Sequence, residues 1–295
     1  LVIPMLYIGV WKPARENYYG KLAYDAFAKA EDDNLAIEYT KQALSYDTYG
    51  DIDVRRGVAE YIFEYLNNDG RVRDEKSLKK VLIFAIEKME ENIQAKPMDV
   101  KWYMYQGQLY NLASVTSGKP NLDYAKLAES RFIKAKNLSP ERPQIYLEIA
   151  QARKVLGDEN GVWEAIDEIE QMLPGYAAIH INALVHAIDL NDVSREALES
   201  DWLEARGVYD YYSIRDVYVR NGRFLDAVKM EKNIIESKEK TLVAKKMLAQ
   251  EYKNLAIFYK NAGKKEEAKK AALKVIELDQ DLKQSADDYI KSLLY

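Results

Sequence analysis

Two histidines, His180 and His186, are the only imidazole groups in the chain. Imidazole is the side chain best suited to proton transfer near neutral pH and to holding a metal ion. Six residues apart on one helix, the two rings point about 240° apart around the helix axis, whereas a zinc-binding helix carries its histidines at positions i and i+4. The spacing therefore predicts two structural histidines and no metal site.

Adjacent carboxylates are the next candidates for chemistry, because glycoside cleavage uses a pair of them. Such a pair must converge across a pocket, but neighbouring residues on a helix diverge by about 100°. No serine-hydrolase, phosphate-binding or dinucleotide motif is present, and there is no cysteine to act as nucleophile or zinc ligand. We therefore predict a protein without catalytic residues, cofactor or metal. The adjacent acidic pairs are Asp32 with Asp33, Glu90 with Glu91, and Asp287 with Asp288.

The elements that would position any site follow from a recurring proline. Pro97 and Pro140 are 43 residues apart, and Pro140 and Pro174 are 34 apart. A period of 34 residues that contains a helix pair is typical of the tetratricopeptide repeat, in which antiparallel helix pairs stack on their neighbours. The chain resembles that family over nearly its whole length. Small and apolar residues return at matching offsets before the last two prolines: Ala128, Phe132 and Ala135, then Val162, Ile166 and Ile169.

This resemblance predicts an all-α fold, a right-handed solenoid of six to seven helix–turn–helix repeats over residues 14–280. Tyr103, Gly107 and Tyr110 give the aromatic, small and aromatic residues expected along a first helix. Residues 281–295 predict a capping helix, because an end repeat leaves an apolar face that an amphipathic helix can cover.

Composition fits a well-packed helical protein, with 48% hydrophobic and 31% charged residues. The net charge is −5 and the isoelectric point is near 5.4, so no global positive field would attract nucleic acid. We therefore predict no nucleic-acid partner.

In the tetratricopeptide fold, five positions of each first helix line a concave groove. Here they carry amides, a few cations and some of the 23 tyrosines, although many tyrosines fall on packing positions. Amides and exposed rings suit an extended peptide or a glycan, through hydrogen bonds and stacking. The predicted groove residues are Lys101, Met104, Gln108, Asn111, Gln144, Gln151, Lys154, Tyr209, Tyr212, Asp216, Arg220, Lys253 and Lys260.

The first eleven residues, Leu1 to Trp11, carry no charge, and Lys12 and Arg15 follow them. A helix needs about 20 apolar residues to span a bilayer, so this stretch is too short to do so alone. Aromatic and basic residues favour the membrane–water interface. Residues 1–13 therefore predict the end of a transmembrane helix and a membrane tether. The alternative is a buried apolar strand or cap over the first repeat.

Three stretches near this end resemble the soluble tail of O-antigen ligase-like membrane proteins: Trp11-Lys-Pro-Ala14, Asn17-Tyr-Tyr19 and Ala43-Leu-Ser-Tyr-Asp-Thr-Tyr-Gly50. In that family a membrane portion of many helices precedes a tetratricopeptide array outside the cytoplasmic membrane. The resemblance implies a non-catalytic accessory of a glycan-transferring protein in the cell envelope. The family's catalytic arginines and histidines lie in regions that this chain does not contain, so none is assigned here.

Two other functions fit the same fold. One is a cytosolic adaptor or co-chaperone that binds a peptide segment. The other is a self-assembling repeat protein, in which tyrosine-rich helices and the array ends would join copies into a homo-oligomer.

Overall fold

The computed structural model describes residues 2–30, 32–67, 75–116, 119–208, 211–240 and 245–293. Every regular element in these ranges is a helix, so the all-α prediction is confirmed. The chain divides into two compact units, Leu1–Met172 and Leu173–Tyr295.

Unit 1 is built from helical hairpins that pack in chain order: α2 with α3, α4 with α5, α6 with α7, and α8 with α9. Short π-helical segments, Tyr7–Trp11 and Ala26–Ala30, flank α2. The helices are α1 Val2–Leu6, α2 Lys12–Asp25, α3 Asp33–Leu44, α4 Asp51–Asn67, α5 Glu75–Ala95, α6 Val100–Val115, α7 Leu122–Leu138, α8 Pro143–Leu156 and α9 Glu159–Met172.

Unit 2 continues the same pattern, pairing α10 with α11, α12 with α13, and α14 with α15, and ends in α16. A 3₁₀ turn, Gln280–Leu282, leads into the last helix. The helices are α10 Ala177–Leu190, α11 Val193–Ala205, α12 Tyr211–Arg220, α13 Phe224–Lys240, α14 Lys245–Asn261, α15 Lys265–Leu278 and α16 Lys283–Ser292.

Small residues form the seams between helices, as the sequence predicts. Ala128 and Ala135 of α7 are fully buried beside Phe132. Gly107 of α6 lies so close to this ring that a Cβ atom there would be 2.5 Å from Phe132 Cε1. The α6–α7 hairpin therefore needs a glycine at this crossing, because real side-chain contacts are never so short.

The recurring prolines end one hairpin and anchor the next. Six residues after each proline, a polar side chain reaches back to the proline carbonyl. Tyr103 Oη donates to Pro97 at 3.0 Å and Tyr146 Oη to Pro140 at 2.6 Å. His180 Nε2 lies 3.4 Å from the carbonyl oxygen of Pro174. The contact of His180 with Pro174 corresponds to the tyrosine contacts in the two earlier repeats, which explains why a histidine occupies this position.

The C-terminal helix covers the last hairpin, as predicted for a cap. Ala286 and Leu293 are buried, and Tyr289 Oη donates a 2.7 Å hydrogen bond to the Ala256 carbonyl of α14.

The apolar N-terminal segment is helical and exposed, so the alternative of a buried strand or cap is wrong. Met5 and Ile8 expose about two thirds of their surface, at 68% and 63%. Tyr7 stacks on Trp11, and Trp11 makes an edge contact with Tyr46 of the first hairpin. None of the described helices combines the length and apolar composition needed to cross a membrane.

Candidate binding surface on the first helices

A cluster of amide and carboxyl groups joins the first helices of two neighbouring hairpins in unit 1. Gln108 Nε2 of α6 donates to Glu148 Oε1 of α8 at 2.6 Å, and Asn111 Nδ2 donates to Glu148 Oε2 at 3.3 Å. We call Gln108, Asn111 and Glu148 the amide–carboxyl cluster. Two predicted groove residues thus meet on a third residue that the sequence did not single out.

The cluster contains a carboxyl group without a cationic partner. Glu148 forms no ion pair with any described residue, and its burial raises its pKa, although the two amide hydrogen bonds oppose that rise. Asn111 Oδ1 is buried and accepts no hydrogen bond from the described residues. Because buried polar groups usually have partners, the cluster retains hydrogen-bonding capacity for a ligand.

The other predicted residues of this face differ in their availability. Lys101 Nζ lies 5.0 Å from the ring centre of Trp102 and 5.7 Å from that of Tyr105. Met104 is only 6% exposed, so its side chain belongs to the core and not to a groove. Three more predicted residues, on α8, are exposed or partly exposed: Gln144, Gln151 and Lys154.

Unit 2 has a separate crevice of about 370 Å³, which lies between α10 and α12. The predicted residues Asp216 and Arg220 line it together with Asn182. Arg220 Nη2 contacts both carboxylate oxygens of Asp189, at 2.8 and 2.7 Å. The predicted cation is therefore held in a fixed position by an acid on the neighbouring first helix.

Tyr212 lies on the same helix, 42% exposed, above a group of buried charges. Arg215 Nη1 lies 2.9 Å from Glu231 Oε2 and 3.8 Å from Glu251 Oε2, and Lys238 also pairs with Glu251. We call Arg215, Glu231, Lys238 and Glu251 the ion cluster. It joins α12, α13 and α14.

Burial and the neighbouring Glu251 carboxyl raise the pKa of Glu231 to about 7, against the opposing effect of Arg215. Burial also acts to raise the pKa of Glu251, but hydrogen bonding from Lys238 outweighs it, and this pKa is lowered. Glu231 therefore stays protonated to a higher pH than Glu251. The cluster serves mainly to join three helices.

The last predicted residues are scattered. Lys253 lines a small apolar crevice of about 80 Å³ that also includes residues of α15 and α16. Lys260 Nζ lies 3.4 Å from Ser292 Oγ of α16. Tyr209 falls outside the described residues. The C-terminal hairpin therefore offers separate cations and no connected patch among the described side chains.

The two histidines lie in α10. Both are buried, and His180 Nδ1 lies 2.8 Å from Glu199 Oε2 while its ring stacks on Trp202.

Sequence reasoning missed Glu148 and the ion cluster. The groove pattern selected Leu147, one position before Glu148. The only signal for Glu148 in the sequence is the pair of amides on the preceding first helix, Gln108 and Asn111, which need polar partners. The ion cluster joins three consecutive helices through contacts across 16 and 13 residues, which a spacing pattern within one helix does not reveal.

The sequence matches no protein-family model, and no curated protein matches it. Among solved structures, the chain is similar to a tetratricopeptide repeat protein from Parabacteroides merdae ATCC 43184, with 12% identity, 96% of this chain and 100% of that chain covered, and a TM-score of 0.55. It is also similar to TTC0263, a tetratricopeptide repeat protein of Thermus thermophilus, with 13% identity, coverage of 77% and 93%, and a TM-score of 0.40. For yeast Tom70 the identity is 15%, the coverage 89% and 59%, and the TM-score 0.47. The first similarity shows that the chain has the tetratricopeptide-type solenoid fold.

Proposed function

We propose that the chain is a non-catalytic interaction scaffold whose first helices hold an extended segment of a partner protein. The amide–carboxyl cluster carries this proposal. A peptide backbone offers alternating N–H donors and C=O acceptors, and the amides of Gln108 and Asn111 can serve both. Asn111 Oδ1 and the Glu148 carboxyl supply acceptors that no described cation occupies.

The fold supports this mode of binding. Helical hairpins that bury one another's seams present first-helix side chains from a rigid frame, so a bound segment pays little cost in rearrangement of the scaffold. The crevice between α10 and α12 offers a similar polar lining in unit 2, with Asp216 and Arg220. Specificity would come from these side chains, while the helices keep their positions.

A display library of extended peptides, selected against the wild-type chain, tests the proposal. We expect selected peptides to lose at least about tenfold in affinity when Gln108 and Asn111 are both changed to Leu, because buried polar peptide groups would then lack partners. Asn137→Leu is the matched control, an exposed amide on the second helix α7, and should leave binding unchanged.

Peptides that bind both variants equally would contradict the proposal. Oligosaccharides screened on the same proteins test the glycan alternative. If glycans bind in a way that depends on Gln108 and Asn111 and no peptide is selected, the partner is a sugar chain and not a peptide segment.

A second function, attachment to a membrane, is favoured by the exposed apolar residues that precede α2. Arg15, one turn after Trp11, lies 5.9 Å from that ring and 5.1 Å from the ring of Tyr19, so the apolar segment ends in an aromatic and basic band. Such bands favour the membrane interface. Co-sedimentation with lipid vesicles should fall when Leu6, Ile8 and Val10 are changed to Ser, and unchanged co-sedimentation would remove this function.

Three more specific functions from the sequence analysis stay predictions. The chain would be the extracytoplasmic tail of an O-antigen ligase-like protein in the cell envelope, a cytosolic adaptor, or a subunit of a homo-oligomer.

A further inference from the structure

A crevice of about 310 Å³ lies in unit 1 between α2 and α4, apart from the amide–carboxyl cluster. Its lining combines charged, aromatic and glycine residues from both helices and from the turn that precedes α4. We call it the Glu16 crevice, after the acid of α2 that lines it. Tyr24 and Tyr49 supply exposed rings, and Asp53 supplies a second carboxylate.

Glu16 is the feature of this crevice that packing does not explain. Its side chain is 1% exposed, yet its Oε1 atom accepts no hydrogen bond from any described residue. Thr48 donates its hydroxyl to the other oxygen, Oε2. A buried carboxylate with one unfilled oxygen is costly, so a site of this kind calls for a donor.

The neighbouring charges make the crevice attractive to a cation. Burial raises the pKa of Glu16, and the adjacent Asp51 carboxyl raises it further. The nearby guanidinium of Arg55 is engaged elsewhere, with Asp51 Oδ2 at 3.3 Å and Glu91 Oε2 at 2.8 Å. Asp53 likewise pairs with Arg56 at 3.2 Å, so Glu16 is the carboxyl group of this crevice that has no ion pair with a described residue.

Two glycines in the middle of helices also line this crevice. They are Gly20 of α2 and Gly57 of α4, and a glycine inside a helix costs about 1 kcal/mol relative to alanine. A Cβ atom at Gly57 would meet no other atom within 4 Å. Packing thus does not require Gly57, and its missing side chain leaves space for a ligand.

We propose that the Glu16 crevice binds a primary alkylammonium group. The ammonium donates hydrogen bonds to the Glu16 carboxylate, and the alkyl stem lies against the rings of Tyr24 and Tyr49. An ammonium group donates a hydrogen bond to the unfilled oxygen of Glu16 and also neutralises its negative charge. An alcohol can donate the hydrogen bond but cannot neutralise the charge. The source is a lysine side chain of another protein or a free aliphatic amine.

Lys21 carries an alkylammonium group like that of the proposed ligand; it also lines the crevice and is exposed. Its ammonium group would compete with a ligand for the same carboxyl groups. Removal of this charge should therefore leave ligand binding unchanged or make it tighter.

Titration of the amide NMR spectrum with n-butylammonium chloride tests the proposal, with n-butanol as the neutral analogue and sodium chloride as the salt control. We expect saturable shifts at the amides of Gly20, Gly50 and Gly57 with butylammonium only. Glu16→Gln keeps an acceptor for Thr48 but loses the charge, and should weaken butylammonium by at least about tenfold. Lys21→Met should bind at least as tightly as wild type.

Gly57→Leu provides an independent variant, because it fills the crevice and leaves Glu16 in place. It should abolish the saturable shifts while the thermal transition shows an intact fold. Equal affinity of Glu16→Gln and wild type for butylammonium, or equal saturation by butanol, would overturn the proposal. Either result would indicate that Glu16 and Asp51 are paired with each other and do not bind a ligand. Nα-acetyl-lysine methylamide then separates the two sources: a site for a protein lysine binds it at least as tightly as butylammonium, whereas a site for a free amine binds butylammonium and excludes the capped backbone.

Discussion

Both units bury carboxyl groups among their helices, but they satisfy them differently. In unit 2, Glu231 and Glu251 meet the cations Arg215 and Lys238. In unit 1, Glu148 meets two amides, and Glu16 meets the hydroxyl of Thr48. Two buried acids of unit 2 thus have ion pairs, whereas these two acids of unit 1 have neutral donors; Asp51 of unit 1 is paired with Arg55 and belongs with the first kind.

The difference separates structural acids from acids that can serve binding. A buried ion pair is self-contained, and removal of one member leaves the other charge without compensation. A carboxyl group held by neutral donors, such as Glu148 or Glu16, has no ion-pair partner among the described residues and can accept one from a ligand. We therefore assign the ion cluster a structural role and propose that the two unit 1 acids serve binding.

The largest expected effect is that of Arg215→Met. This change leaves Glu231 and Glu251 buried without their guanidinium partner, and it should lower the free energy of unfolding by about 3–5 kcal/mol in a urea titration.

Arg220→Met on the same helix is its matched control. The Arg220 side chain is 56% exposed, against 12% for Arg215, so loss of its pair with Asp189 should cost about 1 kcal/mol or less. Equal losses in the two variants would remove the distinction between the ion cluster and a surface pair.

The next effect contrasts closed and open positions within unit 1. Gly107→Ala should destabilise the protein by about 1–3 kcal/mol, because the new methyl group overlaps the Phe132 ring. Gly57→Ala should stabilise it by about 0.5–1 kcal/mol, because the methyl group enters open space and alanine favours the helix. Thermal unfolding measures both. A destabilising Gly57→Ala would show that the crevice is closed.

A smaller effect is the pH dependence of stability that Glu231 contributes. Its pKa rises from 4.5 to about 7 on folding, because of burial and of the Glu251 carboxyl. Between these values the folded state binds more protons than the unfolded state, so the free energy of unfolding falls as pH rises. The slope from one such group is at most about 1.4 kcal/mol per pH unit.

Glu231→Gln should remove this contribution between pH 4.5 and 7, while the contributions of other carboxylates remain. Urea titrations of both proteins across this range measure the difference. Parallel curves would show that Glu231 stays ionised in the fold.

The sequence predicts the fold well because the repeat leaves local marks. Pro97, Pro140 and Pro174 mark hairpin junctions, Gly107 marks a close crossing, and Ala286 marks the covering face of the last helix. Each of these residues acts through near neighbours at a fixed spacing, which periodicity can reveal.

The candidate sites are predicted only in part. Gln108 and Asn111 follow from their positions on a first helix, but Glu148 enters through a contact across 37 residues, and Met104 turns into the core at a nominal groove position. The Glu16 crevice depends on α2, on α4 and on the turn between hairpins. Such meetings depend on the tertiary packing, which a spacing pattern does not specify.

The most direct test compares two substitutions that remove one negative charge and preserve shape, Glu251→Gln and Glu148→Gln, by urea unfolding at about pH 7. Glu251→Gln should lose about 3 kcal/mol, because Lys238 and Arg215 then lack part of their counter-charge. Glu148→Gln should change stability by less than about 1 kcal/mol, because its partners are neutral amides. Similar losses in the two variants, or a larger loss for Glu148→Gln, would contradict the division between structural and binding acids.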